Sequence, residues 1–126
     1  MKIRWIPMLG LSLLAAACAG NGHRSDARTA TRYTEHAGAE IAEFSFVTLY
    51  NWEKVDDGLV AVWTRPDTAY LLRLRNNCTS LDFQRTLALD GFGGRLRAGS
   101  GDVVAGQVHC RVMSIQPLDL AAIGGH

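Results

Sequence analysis

The sequence lacks the short motifs that mark the commonest catalytic and metal-binding sites. It contains no Gly-x-Ser-x-Gly elbow, no His-x-x-x-His pair and no Cys-x-x-Cys pair. The glycine-rich stretch from Gly91 to Gly94 has neither the lysine nor the following helix that a phosphate loop uses, so it predicts a connecting loop. We therefore expect no cofactor and no metal. A catalytic set would have to be assembled from His36, His109 and scattered serines.

The sequence also lacks a strong excess of charge of either sign. Its formal net charge is +1, and without Lys2 and Arg4 of the leader only 11 of its 13 basic residues remain against 12 acidic ones. The field of a near-neutral domain does not attract nucleic acid, so we expect no nucleic-acid partner. Lysine is nearly absent after the leader, with Lys54 the only one. Arginine, which replaces it, recognises planar anions better than lysine does.

A long hydrophobic run is missing as well. The apolar stretch from Trp5 to Ala17 covers 13 residues and contains Pro7, Gly10 and Ser12. It is too short to cross about 30 Å of hydrocarbon as a helix. Because it follows a basic start and ends in small residues, it predicts a signal peptide over residues 1–17.

The small residues directly before Cys18 resemble the lipobox of bacterial lipoproteins. The resemblance implies cleavage before Cys18 and acylation of this residue with diacylglycerol and a further chain such as palmitate. Ala15 departs from it, since leucine is usual three residues before the cysteine. Ala19 resembles the sorting pattern for the outer membrane, which implies a lipid anchor on its periplasmic face. The small-x-small cleavage pattern of Ala15 and Ala17 leaves a soluble periplasmic product as the alternative.

Three cysteines are an odd number, but lipidation of Cys18 would leave Cys78 and Cys110 as a pair in an oxidising compartment. Both fall on the apolar side of predicted strands, since alternate residues of a strand share a face. The apolar residues in step with them are Tyr70, Leu72, Leu74, Val108 and Val112. This pattern favours a disulfide that joins two strands through the core. The alternative is two unrelated buried thiols.

Apolar alternation and turn residues predict a mainly β fold, a small antiparallel sandwich or barrel. Its strands would cover residues 37–123, with a frayed end at 124–126. Residues 18–36 would hold the lipid anchor and a disordered tether, because their glycines, threonines and mixed charges cannot bury enough surface. The alternative for this segment is a helical face of Arg24, Arg28 and Arg32 directed at anionic head groups.

Basic residues form three i,i+2 pairs on the outward faces of predicted strands. They are Arg73 with Arg75, Arg95 with Arg97, and His109 with Arg111. If the strands are neighbours, these residues form an anion-binding face suited to carboxylates or phosphates of the envelope. The alternative is a solvated sheet face balanced by Asp82, Asp90 and Asp102.

A further pattern extends over the chain from Ala37-Gly38. Its positions are Trp52, Ala69-Tyr-Leu-Leu72, Cys78, Leu81, Gly101-Asp102-x-Val104, Cys110-Arg-Val112 and Ile115-x-Pro-Leu-Asp119. The pattern resembles a family of small exported proteobacterial proteins of unknown function, many with lipoprotein leaders. This resemblance implies an exported domain with paired cysteines and no assigned catalytic residues.

Together these features predict an uncharacterised lipid-anchored periplasmic domain with a non-catalytic binding or envelope-accessory role. Its partners would be the membrane, through the lipid, and an anionic envelope component or another envelope protein. The alternatives are a small periplasmic hydrolase or lyase, and a structural spacer or assembly partner.

Overall fold

The structure is a computed structural model that describes residues 21–123. The elements in chain order are helix α1 (Asn21–Glu35), strands β1 (Glu43–Ser45), β2 (Asn51–Asp56), β3 (Leu59–Arg65) and β4 (Thr68–Leu74), a 3-10 segment (Arg75–Phe83), strands β5 (Ala88–Asp90), β6 (Arg95–Arg97), β7 (Asp102–Ala105) and β8 (Val108–Pro117), and helix α2 (Leu120–Ile123). The predicted signal peptide, Cys18 and the end at 124–126 lie outside the described residues.

The fold is mainly β and antiparallel, as predicted. Six strands form one sheet in the order β2-β3-β4-β8-β7-β5, and β1 pairs with β6 in a second sheet. The two sheets form a half-barrel. The predicted mainly β, antiparallel fold is therefore confirmed, and the barrel is open rather than closed.

The β2–β3–β4 meander follows directly from the sequence. Gly58 has φ +69°, which the turn between β2 and β3 requires and which glycine adopts without a steric cost. The next strand is apolar on both faces, and Val60, Ala61 and Val62 are all fully buried. β3 therefore lies inside the sheet, and both of its faces are covered.

Two apolar clusters lie on opposite faces of the sheet. The inner one fills the half-barrel and contains Val60, Val62, Leu72, Val112 and Ile115 from the large sheet, and Phe44 and Leu96 from the small one. The outer one contains Leu59, Ala61 and Leu71 and is covered by residues of α1 and α2. Because each face of the sheet is covered by one of these clusters, both the odd-numbered and the even-numbered residues of β3 and β4 are largely apolar.

Helix α1 differs from the flexible tether expected over residues 18–36. Its last turn is docked by Tyr33, which is only 4% exposed. The rings of Tyr33 and Trp63 pack edge to face with their centroids 6.3 Å apart, and the Tyr33 hydroxyl donates a 2.6 Å hydrogen bond to Glu53 Oε1. Burial and the Glu53 carboxylate raise the pKa of Tyr33 above its usual range. Tertiary packing of this kind stabilises helices whose composition does not favour them, which is why composition alone predicted a tether.

The predicted disulfide between Cys78 and Cys110 is present, with the Cα atoms 5.8 Å apart. The expectation that it joins two strands is wrong, because β4 ends at Leu74 and Cys78 lies in the 3-10 segment. Asn76, Asn77 and Cys78 have φ values of 58°, 63° and 45°. Asparagine tolerates this left-handed region better than most residues, so the Asn-Asn pair breaks the strand period. A left-handed turn, rather than strand alternation, brings Cys78 into the core.

Candidate functional site

A cleft of about 450 Å³ lies where the 3-10 segment crosses the beginning of β8. β4 pairs with β8 only as far as Leu74 opposite Val112, so the first residues of β8 extend beyond the end of β4. The 3-10 segment covers this extension, and the Cys78–Cys110 disulfide ties the two together. The disulfide is therefore part of the cleft wall.

Basic and hydroxyl side chains line the cleft. They are Arg75, Thr79 and Ser80 from the 3-10 segment and His109 and Arg111 from β8, with Asp102 of β7 beside them. Three of the six residues of the predicted anion-binding face thus meet in one place. The hydroxyls were not singled out from the sequence, because only the left-handed turn brings them opposite β8.

Arg111 is held rigidly by β7 and the turn before it. Its Nε donates a 2.7 Å hydrogen bond to Asp102 Oδ1, and its Nη1 donates one of 3.1 Å to the Gly99 carbonyl. Arg75 differs, because its exposed side chain makes no ion pair with any side chain that the structure describes. An anion entering the cleft would therefore meet one fixed guanidinium, partly neutralised, and one guanidinium without a carboxylate partner.

His109 lies between two carboxylates on the outer face of the sheet. Its Nδ1 is 3.4 Å from Asp102 Oδ2 and 3.7 Å from Asp90 Oδ2. The pairing of Asp90 with Asp102, and of Asp102 with Arg111, places these residues on adjacent strands. When protonated, the imidazole would bridge both acids and add a positive charge at the cleft rim.

The same three side chains could present ligands to a divalent cation. One ligand atom each from Asp90, Asp102 and His109 lies within 4.8 Å of the others. A cation would have to compete with Arg111 for Asp102, since these two already form a charge-assisted hydrogen bond. Sequence reasoning missed this cluster, because no local spacing signals it and only the order of β5, β7 and β8 assembles it.

The other predicted basic residues lie elsewhere. Arg95 and Arg97 belong to β6 in the small sheet, and Glu43 accepts hydrogen bonds from Arg95 Nη1 at 3.2 Å and Arg97 Nη2 at 2.6 Å. They line a separate cleft of about 360 Å³. Arg73 is exposed on β4 opposite Ser114. The six residues therefore do not form one continuous face, and Glu43 partly neutralises the β6 pair.

Two of the acids expected to balance the basic residues do so within the cleft region. Asp90 and Asp102 contact His109, and Asp102 also binds Arg111. Asp82 forms its ion pair with Lys54 instead. Aspartates thus balance His109 and Arg111, as the alternative of a solvated sheet face predicts, whereas no described carboxylate pairs with Arg75.

Between residues 21 and 123, no helix has the length and apolar character needed to cross a membrane. The described part of the chain is a disulfide-linked antiparallel β domain with a basic surface cleft. The chain belongs to DUF6491, a family of unknown function whose model matches residues 1–124. No curated protein and no solved structure matches it. The expected membership of a family of unknown function is confirmed, and the exported, lipidated character stays a prediction.

Proposed function

We propose that this protein is a lipid-anchored β domain at the periplasmic face of the outer membrane that binds an anionic group without chemically changing it. The observation that carries the proposal is the convergence of Arg75, His109 and Arg111 on one cleft. Guanidinium groups bind carboxylates and phosphates through paired hydrogen bonds, and hydroxyls supply further donors. An accessory binding role in the envelope needs no other chemistry.

The location rests on the leader and on the cysteines. Residues 1–17 have the pattern of a signal peptide, and Cys18 follows small residues as in a lipobox. The Cys78–Cys110 disulfide fits an oxidising compartment. A soluble periplasmic form is the alternative, and the mass of the mature protein distinguishes the two.

A small hydrolase or lyase is the second candidate function, and one observation favours it. The Asp102 carboxylate lies 3.4 Å from His109 Nδ1, and an imidazole oriented by a carboxylate can act as a general base. Turnover separates the candidates. A binding protein would release each bound anion unchanged, and His109→Gln would only weaken its affinity. An enzyme would convert its ligand and would lose this turnover in His109→Gln while still binding its substrate.

Direct titration tests the binding function. The full-length protein, purified in a neutral detergent, is titrated with inorganic phosphate, sulfate and acetate while backbone amide NMR shifts are followed. We expect saturable shifts at residues 75–80 and 108–111. Arg75→Gln should weaken binding by about tenfold or more, since a hydrogen bond to a charged group contributes roughly 1.5–3 kcal/mol.

Arg65→Gln is the matched control. Arg65 is exposed at the end of β3, lies outside the cleft and makes no ion pair with a described residue. An affinity unchanged by Arg65→Gln and reduced by Arg75→Gln supports the cleft. Shifts that do not saturate, or equal losses in both variants, would exclude it.

A further inference from the structure

The direction of α1 sets where the N-terminal anchor approaches the domain. Tyr33, in the last turn, contacts Trp63 near the end of β3. Trp63 pairs with Asn51, the first residue of β2, and β2 is the element with which α1 makes its main contact. The helix therefore runs along β2 in the opposite direction, and its first residue points toward the β2–β3 turn. Its 15 residues span about 22 Å, slightly more than the roughly 20 Å of β2.

The basic cleft lies at this same end of the sheet. The backbone N–H of Leu74 donates a 2.7 Å hydrogen bond to the Gly58 carbonyl, which joins the end of β4 to the β2–β3 turn. A Cβ on Gly58 would lie only 3.0 Å from Asn77 Cα, so the left-handed turn packs directly on that turn. The start of α1, the β2–β3 turn and the cleft thus share one end.

Only Ala19 and Gly20 separate Cys18 from the first residue of α1. Three extended residues reach about 10 Å, so a lipid on Cys18 would hold the start of the helix close to the bilayer. Because Tyr33 fixes the helix on the sheet, α1 would be a rigid connection between the anchor and the domain rather than a flexible one. The end of the domain nearest the bilayer would then be the one that carries the cleft.

We infer that the cleft faces the membrane that holds the anchor and binds a terminal phosphomonoester of a lipid head group. This inference rests on the proposed anion binding and names its ligand. A phosphomonoester presents three terminal acceptor oxygens, one more than a carboxylate or the phosphodiester of phosphatidylcholine, and can engage both guanidinium groups and the hydroxyls of Thr79 and Ser80 together. Free phosphate has the same chemistry, so the experiment must separate the two sources.

The charges around the β2–β3 turn and within the cleft do not favour anionic membranes in general. Asp56, Asp57 and Asp82 lie near the β2–β3 turn, and Lys54 contacts both Asp57 and Asp82. Within the cleft, Asp102 offsets Arg111. Diffuse attraction by these residues would therefore be weak, and it is screened over about 8 Å at physiological salt. Binding should depend on a head group that enters the cleft rather than on surface charge.

The test uses the lipidated protein purified from the envelope, after its intact mass has established acylation of Cys18. It is reconstituted in phosphatidylcholine vesicles alone, with a minority of phosphatidic acid, or with oleate at the same charge density. A fourth sample has neutral vesicles and free inorganic phosphate. Hydrogen exchange is measured at residues 76–80 and 106–109. Exchange there should slow by about tenfold with phosphatidic acid only, because bound amides must open before exchange.

Three variants sharpen the result. Arg75→Gln should lose the protection and Arg65→Gln should keep it. A flexible Gly/Ser insertion of about ten residues after Gly20 adds a reach of roughly 16–19 Å. It should reduce protection by phosphatidic acid and leave the affinity for free phosphate in detergent unchanged.

Several outcomes would overturn the inference. An unmodified Cys18, equal protection by oleate, an insertion without effect, or protection at residues 65–67 would each contradict the membrane-facing cleft. Equal protection by free phosphate would identify a soluble ligand and leave the proposed function standing. Absence of anion binding in detergent as well as on vesicles would remove the proposed function itself.

Discussion

Removal of the disulfide tests the physical basis of both the fold and the cleft. The double variant Cys78→Ser/Cys110→Ser opens a loop with a sequence separation of 32. On the chain-entropy model, closing such a loop stabilises the folded state by about 3.5–4 kcal/mol. The left-handed turn opposes this term, because Cys78 at φ 45° costs about 1–2 kcal/mol that a free turn could release. We therefore expect a net loss of about 1.5–3 kcal/mol in the free energy of unfolding.

Urea unfolding of the variant and of the wild-type protein, followed by circular dichroism and tryptophan fluorescence, measures this loss. Its thermal counterpart is a fall in Tm of about 6–24 °C, at roughly 4–8 °C per kcal/mol for a domain of this size. Reduced wild-type protein is the control and should unfold together with the serine variant. A loss below about 1 kcal/mol would mean that the loop hardly constrains the unfolded chain, and would refute the entropic reasoning.

Three further changes have defined outcomes. Asn77→Gly should stabilise the domain by about 0.5 kcal/mol and Asn77→Val should destabilise it by about 1–2 kcal/mol in urea unfolding, because φ is 63° there. Equal effects would contradict the left-handed turn. Tyr33→Phe should cost about 1 kcal/mol through the lost Glu53 hydrogen bond. It should also reduce the alkaline loss of stability. The pKa of Tyr33 is raised in the folded state, so the stability that Tyr33 contributes is complete below about pH 10 and is lost as the pH rises through the folded pKa. If the wild-type protein and Tyr33→Phe lost stability in parallel at alkaline pH, this reasoning would be refuted. Gly91→Ala should lower the free energy of unfolding by more than about 2 kcal/mol in a thermal melt, because the alanine Cβ would lie 1.9 Å from the Arg95 carbonyl oxygen. A tolerated alanine would show that this approach relaxes freely.

Periodicity and turn chemistry were sufficient for the parts of the fold where neighbours along the chain are also neighbours in space. The hairpin of β3 and β4 follows from two apolar runs around Pro66 and Asp67. The pairing of Cys78 with Cys110, distant along the chain, was predicted from the number of cysteines and their apolar neighbours, although the strand assumed for Cys78 was wrong. Helix α1 could not be predicted in this way. Its docking depends on Tyr33 meeting Trp63, a contact between residues 30 positions apart.

The candidate site could be predicted only in part, because it depends on strand order. His109 and Arg111 were placed correctly on the outer face by alternation, but their neighbours Asp90 and Asp102 are set by β7 inserting between β5 and β8. No local pattern specifies that order. Strand β6 pairs with β1 in a separate sheet, and this places Arg95 and Arg97 away from the cleft. The spacing of the residues does not predict that pairing either.

The cleft lies where the β pattern breaks down, and this coincidence has a physical cause. The register between β4 and β8 shifts at Arg73 and Leu74, and three non-glycine residues with positive φ follow at once. A regular continuation of β4 would pair with the start of β8 and leave no cleft. The irregular turn costs free energy that the disulfide offsets, and it directs Arg75 toward the cleft. Such costly departures from local preference are expected at functional sites, which is the strongest reason to seek the ligand there.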